Sequence, residues 1–191
     1  AGDGLVCGLG AVEGHTIAVY AQDPTVLRGG LGLAGARKLV HMMELAEGQS
    51  LPIVALVDCD GVRVGEGTDA IEAYGAVIQK TIELKGRVRQ ITLVCGLCVG
   101  AAAYTAALTD WVGMVEGQSF MFITGPRVTE VVTGEAVSIE DLGGPALHAE
   151  RTGACHARFA DEAAGVEWVR RLLGFGRAEA SADPVDRETP K

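Results

Sequence analysis

Three apolar runs of strand length, "HTIAVYAQD" (15–23), "LPIVALVDCDG" (51–61) and "RQITLVCG" (89–96), each lead through glycine into a helical segment. The second and third have too few polar residues for one face to meet water, so they read as strands buried on both faces. After the first run, "GLAGARKLVHMMELAEG" (32–48) sets Leu39, Met42, Met43 and Ala46 on one helical face, with Gly48 as its stop. "GTDAIEAYGAVIQKTIELKG" (67–86) is the next helix, capped at Thr68, and "GAAAYTAALTD" (100–110) follows the third strand. "WVGMVEG" and "SFMFITGP" read as further strands. "PRVTEVVTG" and "DEAAGVEWVRRLLG" read as helices, the second starting at Asp161 or just before it. Strand and helix in alternation predict an α/β fold with parallel strands.

The chain of 191 residues fits one domain with a sizeable core. That domain spans residues 1–174. The stretch 175–191 loses its apolar period and reads as a linker or frayed tail. A net charge of -9 argues against a nucleic-acid binder, because no basic face is present to neutralise phosphates. No apolar run suits a bilayer span, and no signal peptide opens the sequence. Five cysteines at irregular spacing in a chain that needs no staples point to a reducing, cytoplasmic setting.

The stretch "CGLCVGAAAY" (95–104) carries the chemistry, and it admits several readings. Cys95 and Cys98 form a C-x-x-C where strand meets helix, as in thioredoxin-like redox sites. A zinc site would need further ligands, and Cys59, Cys155 and His156 offer no second pair at ligand spacing. Gly96-Leu97-Cys98-Val99-Gly100 also reads as a cysteine version of a nucleophile elbow, with Asp141 and His148 or His156 following in triad order. Against these stands plain packing of two small side chains beside a turn. A last reading uses the backbone. Gly100 and Ala101 open a helix, where amides lack intrahelical partners and the dipole is positive. A second glycine turn, "DCDGVRVGEG" (58–67), ends the neighbouring strand. Parallel strands point their carboxyl ends into one crevice, so the two turns would aim amides at a common oxygen and stabilise an enolate.

Several stretches are similar to one family. "SFMFITGPRVTEVVTGEAVSIEDLGG" and "AYTAALTDWVGMV" resemble, almost letter for letter, the N-terminal half of the carboxyltransferase (β) subunit of biotin-dependent acyl-CoA carboxylases and related decarboxylases. "DCDGVRVGEG" stands where that family has an acid-Ser-Gly-Gly-Ala-Arg turn, and "GLCVGAAAY" where it has Gly-Pro-Cys-Ala-Gly-Gly-Ala-Val-Tyr. The resemblance implies a crotonase-like (ClpP-like) fold that binds a coenzyme A or acyl-carrier thioester. Backbone amides hold the thioester oxygen while the α-carbon gains or loses a carboxyl group. By position the donors fall at Gly100 and Ala101, with Gly61 and Val62 in the facing turn. Cys98 matches a family cysteine that is no nucleophile. Arg37 and Lys38 lie where the family contacts coenzyme A, although helix-surface cations are often only solvated.

Departures from the pattern bear on the chemistry. Asp60 replaces a glycine, and is either a tolerated turn residue or a proton-transfer group. Ala101 replaces a second glycine and narrows the approach. Gly65 replaces a glutamine, and Glu66 either serves as acid or base or pairs with Arg63. The resemblance covers one of two homologous halves, and the other binds carboxybiotin across a dimer interface. The expected function is therefore a carboxyltransferase domain or split subunit, with biotin on a separate chain and no metal. A biotin-independent decarboxylase of malonyl- or methylmalonyl-type thioesters, or a non-catalytic partner subunit, are the alternatives. The expected partners are a complementary carboxyltransferase chain, further copies of this one, or both.

Overall fold

The computed structural model describes residues 3–175. A hairpin of β1 (Leu5–Val12) and β2 (His15–Gln22) opens the chain and pairs antiparallel, with Val12 opposite His15. After it come α1 (Leu33–Gly48), β3 (Ile53–Cys59), α2 (Thr68–Glu83), β4 (Gln90–Val99) and α3 (Ala101–Leu108). Next are β5 (Trp111–Val115), β6 (Phe120–Phe122), α4 (Pro126–Thr133), α5 (Ile139–Gly143), α6 (Pro145–Leu147), β7 (Ala157–Phe159) and α7 (Glu162–Phe175). The sheet runs β1-β2-β3-β4-β5-β7, and every pairing after the hairpin is parallel.

Helices cover both faces, as the unbroken apolar strands demand. On one side α1, α2 and α3 bury Leu39, Met42, Met43, Val77, Ala102 and Ala106 against Ala55, Val57 and Val94. On the other, α7 lays Val169 and Leu173 over Ile17, Val54, Ile91 and Leu93. The predicted face of α1 is buried in full. At the start of α7, Asp161 accepts the Ala164 N–H (2.8 Å), which fixes the helix entry where the sequence placed it.

Helix α1 ends at Gly48, as expected, with a cap at Gln49 whose amide bonds back to Leu45 and Glu47. Several elements and boundaries differ from expectation. Thr68 is the first helical residue of α2 rather than its cap, which is Gly67. The glycine-rich β1 was no predicted strand, and it makes the sheet mixed. Most consequential, β4 does not stop at Gly96 but continues to Val99. The expected tail begins inside α7 at Phe175, and residues 176–191 lie outside those described.

Beside β4 two strands share one edge. Residues 91–94 pair with β5, and residues 97–99 pair with β6. The gap between them, at Cys95, is filled by a side chain, since the Gln118 amide donates to the Cys95 carbonyl at 2.7 Å.

Candidate active site

Strands β3 and β4 end side by side, with Cys59 opposite Cys98, and the two glycine turns touch just beyond. Gly61 has φ +94, and a Cβ there would lie 2.9 Å from the Val99 carbonyl oxygen. Only glycine lets this backbone rest on the end of β4. Leu31 then pairs with the turn. Its N–H donates to Gly61 (2.9 Å), and its carbonyl accepts from Arg63 (3.1 Å). Between those two bonds the Val62 N–H faces away and has no partner among the described residues. The Gly61 N–H points back at the Cys59 sulfur, 3.3 Å away.

In the other turn, Gly100 is the N-cap of α3 and takes φ +59. Its N–H donates to the Phe122 carbonyl of β6 at 3.0 Å, so this expected free amide is already used. The Ala101 N–H has no partner among the described residues and opens the helix. Unpartnered amides thus remain in both turns, among them those of Val62 and Ala101. The positive end of the α3 dipole adds to the second. Such a pair can hold one oxygen that gains negative charge.

Charged residues of the first turn are mostly committed to structure. Arg63 has a nearly buried side chain that binds Asp3 through both carboxylate and backbone oxygens, and Glu66 at 3.2 Å. Glu66 also accepts the Leu33 N–H (2.8 Å), and Asp3 accepts that of Gly35 (2.6 Å). Two carboxylates from outside the helix therefore cap the start of α1. Glu66 is thus the partner of Arg63. Asp60 donates its N–H to the Arg28 carbonyl (3.1 Å), and its carboxylate meets the Arg28 guanidinium (3.2 Å). Sequence reasoning missed Arg28 because the pair joins separate turns.

The two expected coenzyme A cations part company. Lys38 donates to the Leu5 carbonyl at 2.5 Å and ties α1 to β1. Arg37 is exposed and borders a groove of about 460 Å³ between α1 and α2, with His41, Glu44, Asp69 and Glu72.

Cys95 lies inside β4 and Cys98 next to its last residue, and the two face opposite sides of the sheet. They cannot act as a pair. Burial raises the Cys98 thiol well above its ordinary value, and raises Cys95 to about 12, with Glu162 and Asp58 adding to it. Neither is a poised nucleophile. The proposed triad partners are also engaged elsewhere. His148 contacts the Met121 carbonyl and Thr152, the Val112 N–H donates to His156, and Asp141 donates its N–H to the Ser138 cap of α5 and accepts from its hydroxyl. Among the described residues no cluster of three or more His, Cys, Asp or Glu could hold a metal ion. No helix among them is long and apolar enough to cross a membrane.

The carboxyl transferase domain family matches residues 1–191. The chain belongs to that family. It is 42% identical over 174 residues to the propionyl-CoA carboxylase beta chain of Saccharopolyspora erythraea, covering 91% of this chain and 32% of that one. To the methylmalonyl-CoA decarboxylase subunit alpha of Veillonella parvula it is 41% identical over 174 residues, covering 91% and 34%. Transcarboxylase 12S, solved as a hexamer with hydrolysed methylmalonyl-coenzyme A bound, superposes with a TM-score of 0.88 at 37% identity, covering 91% and 34%. The beta subunit of Pseudomonas aeruginosa geranyl-CoA carboxylase gives a TM-score of 0.83 at 28%, covering 91% and 33%. The fold is accordingly the crotonase-like one. The chain spans about a third of the length of these relatives.

Proposed function

We propose that this chain is the thioester-binding part of an acyl-CoA carboxyltransferase, and that the Val62 and Ala101 amides hold the thioester oxygen as an enolate forms. The observation that carries this reading is the meeting of the two turns, with unpartnered amides at Val62 in one and Ala101 in the other, in a carboxyl transferase family chain. Withdrawing charge onto the oxygen lets the α-carbon act as a carbanion, so no side-chain nucleophile is needed. Each well-placed amide contributes about 3 kcal/mol to lowering the barrier. Biotin, as the carboxyl carrier, would come on a separate chain. The three described lysines, Lys38, Lys80 and Lys85, already donate to Leu5, Glu47 and Leu108. A cytoplasmic setting is supported by five free thiols, and assembly with a counterpart chain or further copies by the exposed apolar face of α4.

Ala101→Pro tests the assignment. It deletes one donor at a position where proline suits the first helical turn. The fold is expected to persist, substrate binding to change little, and turnover to fall roughly 100- to 1000-fold. Normal turnover in a folded variant would overturn the oxyanion role. Decarboxylation is the second reading, favoured by the 41% identity to a methylmalonyl-CoA decarboxylase subunit. Release of CO2 from methylmalonyl-CoA without any biotin carrier separates the two.

A further inference from the structure

Arg28 occupies a backbone conformation that its side chain makes costly. Leu27 and Arg28 have φ of +48 and +56, and Gly29 follows at +67. This left-handed turn is pressed against the end of β3, where a Cβ on Gly29 would collide with the Asp58 carbonyl. A non-glycine residue held this way is strained, and strain of this kind gathers at functional sites. The Arg28 side chain is 72% exposed and its partner Asp60 is 35% exposed, so their ion pair adds little to stability. The fold therefore gains little by keeping an arginine here. Asp60, however, directly precedes the Gly61-Val62 segment, and its own N–H is fastened to the Arg28 carbonyl. Its negative charge stands beside the point where the proposed mechanism builds a second one.

We infer that Arg28 is a positioning residue for the reaction. It neutralises Asp60 and turns its carboxylate away from the crevice, so that an oxyanion can form at the Val62 and Ala101 amides. This inference rests on the thioester-binding reading above. It predicts a charge-selective effect: loss of Arg28 should disfavour an anionic occupant and spare a neutral one.

The test uses two probes on the purified chain, followed by calorimetry. One is S-acetonyl-coenzyme A, a neutral ketone. The other is a coenzyme A thioether ending in a nitronate, which carries the enolate's charge. Arg28→Gly removes the guanidinium and suits the left-handed backbone, so the variant should melt no lower than the parent. It should bind the nitronate about tenfold more weakly and the ketone equally well. Asp60→Asn alone should tighten the nitronate, and Asp60→Asn added to Arg28→Gly should restore parental affinity. Arg28→Lys should keep most of it. Equal weakening of both probes in Arg28→Gly, or no rescue by Asp60→Asn, overturns the inference and leaves the thioester reading standing. If the parent binds neither probe, the thioester reading fails and this inference falls with it.

Discussion

Glu66 shows how a residue of catalytic type can be absorbed by architecture. Its carboxylate caps Leu33 and pairs with Arg63, so Glu66→Ala should cost about 1 to 2 kcal/mol in thermal or denaturant unfolding. Glu66→Gln, which keeps an acceptor for the Leu33 amide, should recover part of that stability. A proton-transfer role would instead make Glu66→Gln inactive with its melting temperature intact. The cysteines give a second prediction at this scale. In the folded chain their thiols are raised above the ordinary value of 9.0 by burial, so they stay protonated where unfolded thiols ionise. Their contribution to stability is complete below about pH 9 and drains away as pH climbs toward 12. Urea midpoints measured from pH 8 to 11 should fall, and Cys95→Ala should flatten that fall while thioester binding persists. An unchanged slope in Cys95→Ala would remove this thiol as its source.

Among the elements, β4 explains both what was legible and what was not. Its apolar run and the buried faces of α1 and α7 follow from periodicity, since burial on a helix or sheet leaves a repeating signature. The turn after it was misplaced because Gly96 looks like a terminator, whereas pairing with β6 carries the strand three residues further. That same pairing takes the Gly100 amide, which no local pattern could reveal. Likewise β1 holds two glycines and reads weakly, yet eight paired positions with β2 make it a strand. The Val62 amide owes its freedom to a single bridge with Leu31, a contact that spans all of α1 and β3 in sequence. Helix α4 invites a separate experiment. None of its residues is buried, and Val128, Val131 and Val132 stand exposed. Val131→Asp should leave the unfolding midpoint within about 0.5 kcal/mol of the parent. It should shift sedimentation toward smaller species, because an apolar helix face of this kind is kept for a partner. A change in stability with no change in assembly would place the helix within the domain's own energetics.

The whole molecule carries its candidate crevice at the carboxyl ends of parallel strands, with support arriving from far along the chain. Asp3 braces Arg63 from sixty positions away, and Phe122 fixes Gly100. At this scale the expectation is a species larger than one chain at micromolar concentration in sedimentation velocity, alone or with a counterpart chain. A monodisperse monomer under both conditions would count against it. The shared edge of β4 also has a meaning in time. As a ribosome extends the chain, β2, β3, β4 and β5 emerge in an order that lets each pair with one already made. The segment that secures Gly100 comes only afterwards, and α7, which roofs Ile17, Val54, Ile91 and Leu93, is the last described element to appear. Until then the nascent sheet has one bare apolar side, and chaperones that hold unfinished chains would find their grip there.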